Sequence, residues 1–149
     1  MLSQTVEYAL RAATFLATSP EEPRTVDQIA QATRVPVAYL AKVMQGLVRG
    51  GLVSSRRGVG GGFTLVRPPR EVRIIEIVQA VDPIRRITTC PLGLASHGSR
   101  LCPLHRRLDQ ALEAMERAFA STTLAEVLAE PSKSVPLCDF PVGHHPAKA

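Results

Sequence analysis

Apolar residues recur at helical spacing through most of the first fifty positions. Val6, Leu10, Ala13 and Ala17 fall on one face of a helix over 4–17, with Leu16 beside them and Ser3 placed as its N-cap. Pro20 and Pro23 stop that helix. Thr25-Val26-Asp27-Gln28 has the spacing of a capping box and opens a short second helix through Ile29 and Ala32. After a break at 33–35, Pro36 suits a first helical turn. Val37, Leu40, Val43, Met44 and Leu47 then follow at spacings of three and four until Gly50-Gly51 end the run. Beyond that point the period shortens: 52–55 reads as a strand, 57–62 as a glycine-rich turn, and 63–66 as the returning strand.

After Pro68-Pro69, the residues Val72, Ile74, Ile75, Ile77, Val78 and Val81 predict a further apolar helix over 72–81, ended by Asp82-Pro83. Positions 84–102 lack periodicity and read as a loop holding Cys90, His97 and Cys102. From Pro103 a long helix runs to about Ala120 with Leu104, Leu108, Ala111, Leu112, Met115 and Phe119 along one stripe. Such a stripe suits pairing with a second copy of the chain, and equally packing on its own domain. Thr122 or Thr123 caps a last short helix over 124–128, and the Pro-rich tail from 131 is expected to be disordered. Helix, helix, turn, helix and hairpin is the order of a winged helix-turn-helix. The expected fold is therefore mainly α with a small β-wing, followed by a long dimerisation helix.

The 149 residues, 45% of them hydrophobic and 21% charged, allow one compact domain or a small domain with an appended dimerisation element. No apolar run approaches the roughly 18–20 residues needed to span a bilayer. The start, MLSQTVEYALRAA, lacks the basic n-region and small-residue cleavage site of a secretory leader, so a cytoplasmic location is expected. Charge changes the picture once its position is considered. Residues 34–73 carry eight Lys or Arg against Glu71 alone, a net of +7, whereas residues 87–149 balance six bases with six acids. A local cationic block suits a polyanion, nucleic acid above all, although a solvated basic surface would look the same by charge alone. With 4% aromatic residues and no tryptophan, a base-stacking platform for single strands or RNA is poorly supported.

In a winged helix-turn-helix the third helix enters the major groove of duplex DNA and the hairpin lies over the neighbouring backbone or minor groove. The candidate contacts are Tyr39 and Lys42 at the start of that helix, with Arg56, Arg57, Gly58 and Gly60 in the wing. Tyr39 serves equally well as a buttress. Pro36, Ala38 and Ala41 offer no polar base-reading group. A nucleotide phosphate loop at GVGGG is disfavoured, because it lacks the GKS/T ending and follows no buried parallel strand. No nucleophile, base and orienting group come together in the sequence, so an enzyme is not expected.

Three cysteines, at 90, 102 and 138, do not indicate a disulfide framework in a chain of this kind and direct attention to metal or redox chemistry. Cys138 reads as a free thiol in the tail, and His144-His145 as incidental. The stretches EYALRA (7–12), Tyr39-Leu40, GLVSSRRGVGGGFTL (51–65), IIEIVQAVD (74–82), the loop running into CPLH (102–105) and TTLAEVL (122–128) resemble the Rrf-type, IscR- and NsrR-like, winged helix-turn-helix transcriptional regulators. The resemblance covers nearly the whole chain to about residue 130. It implies a homodimer paired through the long helix, a partly palindromic duplex operator, and an iron–sulfur cluster whose state changes DNA affinity.

The family's loop often reads C-x5-C-x5-C, followed in some members by x2-H. Here it reads Cys90-x5-Ser96-x5-Cys102-x2-His105, so the middle thiolate is missing. The ligand set implied is Cys90, Cys102 and His105, with His97 beside the vacant position, or with Glu7, where some relatives place a carboxylate supplied by the partner subunit. A mixed set favours [2Fe–2S] over [4Fe–4S]. The alternatives are zinc in a Cys2His2 set, or no metal, with the loop a thiol sensor or purely structural in a regulator that responds to thiol oxidation or a partner protein. The expected organisation is 1–83 as DNA-binding domain, 84–102 as sensor loop, 103–130 as dimerisation helix and terminal short helix, and 131–149 as tail. The expected function is a regulator, read as a repressor, sensing iron–sulfur, nitric oxide or redox status.

Overall fold

Ser3 Oγ accepts the N–H of Val6 at 3.3 Å and starts the first helix, α1 (Gln4–Thr18). The computed structural model describes residues 2–97, 100–134 and 136, and the predictions about Cys138, His144 and His145 lie outside them. Thr25 and Gln28 close the expected capping box of α2 (Val26–Thr33), each side chain meeting the other's backbone N–H. Thr33 Oγ1 donates back to the Ile29 carbonyl at 2.6 Å, and Arg34 turns the chain in the left-handed region at φ 56°. Pro36 then leads into α3 (Val37–Arg49).

The wing is an antiparallel hairpin of β1 (Val53–Arg56) and β2 (Gly62–Leu65), with Val53 opposite Leu65 and Arg56 opposite Gly62. Both strands lie one residue from their predicted positions. Leu52 joins the two elements: its N–H donates to the Leu47 carbonyl and closes α3, while its carbonyl accepts the Val66 N–H beside the hairpin, each at 3.0 Å. On its other edge β2 pairs with Arg24, which exchanges backbone hydrogen bonds of 3.0 and 2.8 Å with Phe63. Gly62, at φ 142°, allows this approach, because a Cβ there would lie 2.7 Å from the Arg24 carbonyl oxygen.

After the wing come α4 (Ile74–Val81), α5 (Pro103–Ala120) and α6 (Leu124–Ala129). The helix predicted over 72–81 starts two residues late. Val72 and Arg73 run extended beside Thr123, with Ile74 N–H donating to the Thr122 carbonyl and Leu124 N–H to the Val72 carbonyl, each at 2.9 Å. This pairing brings α6 back onto the N-terminal unit, and Leu124 is fully buried in the same core as Leu16, Ile29, Leu40, Met44, Leu47 and Ile77. Burying each such aliphatic side chain contributes about 1.5–3 kcal/mol. The alanines of α1 (Ala9, Ala12, Ala13) are buried at its centre, where α2, α3, α4 and α6 all pack against it.

The long helix differs. No side chain of α5 is fully buried; Phe119 reaches the core, whereas Leu104 and Leu108 are 63% and 47% exposed. Among the described residues no helix is long and apolar enough to cross a membrane. The molecule is mainly helical with one small two-stranded wing.

Candidate nucleic-acid interface and cysteine loop

The buried stripe of α3 (Leu40, Val43, Met44, Leu47) leaves the opposite face in solvent, and that face carries Tyr39, Lys42, Gln45 and Arg49. Tyr39 is 57% exposed. Arg56 and Arg57 are exposed at the end of β1 and the start of the wing turn. Gly58 and Gly60 hold that turn with φ of 98° and 74°, a region in which an L side chain is strained. A cleft of about 460 Å³ separates the last turns of α3 from the hairpin, lined by Gln45, Val48, Arg49, Ser55, Arg57 and Phe63. Two guanidinium side chains thus border one solvent-open cleft between helix and wing.

Gln45 and Arg49 were absent from the sequence-based candidates. Their signal was available in the spacing, since they follow Lys42 at i+3 and i+7 and so share its helical face. At the helix start the exposed side chains besides Tyr39 are Pro36, Val37, Ala38 and Ala41, none of them polar. The polar groups sit further along.

The second candidate site is the loop between α4 and α5. Its first part is fastened to α5 by Arg86, which meets both carboxylate oxygens of Asp109 at 2.7 Å and reaches Glu116 and Glu113 at 3.4 and 3.5 Å. The Ile87 N–H donates to the same Asp109 carboxylate at 2.8 Å. Paired, charge-assisted bonds of this kind are directional as well as strong. Hydrogen bonding from Arg86 holds the Asp109 carboxyl below the usual carboxylate range; burial opposes this, and the Ile87 N–H adds to it. Asp109 in turn raises Arg86 above the ordinary arginine value.

Beyond this latch the loop carries Cys90, a single turn of 3-10 helix over Ala95–His97, and Cys102, the N-cap residue of α5. Cys90 and Cys102 are half-buried free thiols. Cys102 Sγ lies 3.3 Å from His105 Nδ1, so the C-x2-H spacing does bring its two donors together. His97 Nδ1 is buried and has no hydrogen-bond partner among the described residues. Ser96 is exposed, and the Glu7 carboxylate is bound by Arg11 at 2.9 Å on α1.

An iron–sulfur cluster would draw on Cys90, His97, Cys102, His105 and Glu7, and zinc on a four-donor subset of them. In this arrangement they do not fit either group. Cys102 and His105 make one adjacent pair, yet among the described residues no three His, Cys, Asp or Glu side chains converge in a metal-holding set. With serine in the middle position the loop also lacks the thiolates a four-iron cluster normally takes.

Comparison with known proteins agrees with this architecture. Residues 2–130 match the model of the Rrf2 family, described as an iron-dependent transcriptional regulator. The HTH-type transcriptional regulator NsrR of Geobacillus kaustophilus is 32% identical over 133 residues, which is 85% of this chain and 88% of that protein. Among solved structures, T. potens IscR superposes with a TM-score of 0.71 at 23% identity, over 90% of this chain and 93% of that one. CymR, the global cysteine regulator of B. subtilis, gives 0.70 at 24% identity, over 89% and 98%. These folds are winged-helix regulators, and the family is one of transcriptional regulators rather than enzymes. The chain belongs to the Rrf2 family of transcriptional regulators.

Proposed function

We propose that this protein is a homodimeric, DNA-binding repressor whose Cys90–Cys102 loop adjusts operator affinity in response to redox state. The observation that carries the DNA reading is the cleft between α3 and the wing, bordered by Arg49 and Arg57, with Lys42 and Arg56 exposed nearby. Helix and wing would straddle one stretch of phosphate backbone, with α3 in the major groove. The exposed Leu104 and Leu108 on α5 support pairing of two chains through that helix, with residues 1–83 binding DNA and 84–102 serving as the sensor loop. Two wings on a two-fold axis would then meet half-sites about one helical turn apart.

The sensing chemistry that best suits the loop is that of the thiols themselves. Cys102 ends the loop and begins α5, and its carbonyl accepts the Arg106 N–H at 2.9 Å. A peroxide would deliver one oxygen to the Cys102 sulfur and leave as water, giving a sulfenic acid. The enlarged sulfur must displace the His105 ring and disturb the first turn of α5, the helix on which the dimer depends. One observation favours a second reading, in which the loop rearranges around a metal: the buried His97 nitrogen, without a partner among the described residues, is a donor in reserve. An iron–sulfur centre, two-iron in preference to four-iron, or zinc would occupy that rearranged set.

Purification without oxygen separates the two. The thiol reading expects colourless protein with no stoichiometric iron, sulfide or zinc; colourless protein carrying stoichiometric zinc would replace it with the zinc form of the metal reading. Iron with matching sulfide, and a visible band lost in Cys90→Ala or Cys102→Ala, would replace it with the cluster reading. The DNA reading is tested by Arg57→Ala, which should weaken duplex binding and reduce its salt dependence; unchanged affinity and slope would remove Arg57 from the interface.

A further inference from the structure

The first turns of α1 carry a chain of contacts that ends on the recognition helix. The exposed Glu7 carboxylate holds Arg11 Nε at 2.9 Å, and Arg11 also donates to the Thr33 carbonyl, 3.4 Å away at the end of α2. The Arg11 guanidinium carbon lies 5.8 Å from the centroid of the Tyr8 ring, within cation–π range. Tyr8 is half-buried against the core and meets Tyr39 edge to face, with centroids 6.1 Å apart and planes at 72°. Tyr39 is the one polar-tipped side chain in a first turn whose other residues are Pro36, Val37, Ala38 and the buried Leu40. Left alone, a ring exposed to this degree would sample several rotamers and lose that freedom on binding; a ring already held by a neighbour loses less.

We propose that Tyr8 and Arg11 are positioning residues for Tyr39, fixing the aim of its phenol so that discrimination between duplex sequences depends on the Glu7–Arg11–Tyr8 chain. This rests on the DNA-binding reading above. Its consequence is that any group competing for the exposed Glu7 carboxylate, including one from a partner subunit, is felt at the recognition helix. The route runs through one salt bridge and two ring contacts. Such a route gives the N-terminal helix a part in operator choice that its buried alanines do not suggest.

Tyr8 and Tyr39 are the chain's two tyrosines, and it has no tryptophan, so spectroscopy sees this pair without background. The full chain first selects a duplex of about three helical turns from a random-sequence library, and an unselected duplex of equal length is the reference. Tyr8→Leu should narrow the ratio of the two affinities roughly three- to tenfold, the range an edge-to-face aromatic pair supplies. Tyr8→Phe should keep the ratio, and in a Tyr39→Ala background Tyr8→Leu should add nothing further. Fluorine NMR of fluorotyrosine-labelled Tyr8→Phe protein reads Tyr39 alone, and adding Glu7→Gln should shift that resonance without DNA. Glu7→Gln changes an exposed side chain and keeps the test open if Tyr8→Leu fails to fold. An unmoved ratio in Tyr8→Leu, or an unmoved resonance in Glu7→Gln, overturns the proposal, while weakened binding by Arg57→Ala leaves the DNA reading intact. A wild-type chain that selects no duplex overturns both.

Discussion

The winged unit and the cysteine loop are held by different kinds of interaction. From α1 to α4 the chain is fixed by side-chain caps at Ser3 and Thr25, by a continuous apolar core, and by close helix contact at glycines. A Cβ on Gly50, for example, would lie 2.7 Å from Ala80 Cβ on α4. The loop from 82 to 102 contributes mainly Ile84 to that core and is held largely by Arg86 on the carboxylates of α5. The first region is a rigid frame that presents charge. The second hangs on a few polar bonds and little buried apolar surface, the pattern of a segment that opens at lower cost than a packed core.

The largest expected effect breaks the frame. Leu124→Ala removes a fully buried side chain that α6 brings into the N-terminal core and should cost about 2–5 kcal/mol in denaturant unfolding. A loss below about 1 kcal/mol would mean that α6 is not part of that core, since surface changes fall in that range. Next, Arg57→Ala should lower the slope of log affinity against log salt by about 0.9, one phosphate contact, without changing the melting temperature. Asp109→Asn should raise hydrogen exchange at Ile87 and through the loop while α1–α3 keep their protection; equal exchange in both proteins would show that the loop has another anchor. The smallest effect is set by pH. The Asp109 pKa is depressed by Arg86, and that of Glu126 by hydrogen bonds from the Thr123 backbone N–H and hydroxyl. Their contribution is present above the ordinary carboxylate pKa of about 4 and is lost as pH falls through the lowered folded values. Acid unfolding of Asp109→Asn should therefore show a shallower pH dependence below about pH 4.

How much of this was legible follows from the range of the interactions. The caps of α1 and α2, the apolar stripe of α3 and the hairpin order are local, and the sequence displays them within a few residues of where they act. The start of α4 was misplaced because its backbone partner, Thr122–Leu124, is remote in sequence and carries no periodic signal. The Arg86–Asp109 latch was invisible for the same reason: one arginine in an aperiodic loop gives no hint of its partner. Cys102 and His105 were legible as a pair, since residues three apart at a helix start share a side. The wider ligand set rests on resemblance, and the serine at 96 in place of the middle thiolate weakens it within the sequence itself. Gln45 and Arg49 were readable in principle from helical spacing, whereas the Tyr8–Tyr39 contact needed the packing of α1 on α3.

In the proposed function the loop governs the frame. The most direct test of that control is the affinity of the full chain for a library-selected duplex, measured with reduced thiols and again after stoichiometric peroxide, in wild type and in Cys102→Ala. Control through Cys102 should give a change in wild type that is absent in Cys102→Ala, with Arg57→Ala weakening binding in both states. Equal affinity before and after oxidation in wild type, or a response that survives in Cys102→Ala, would contradict it.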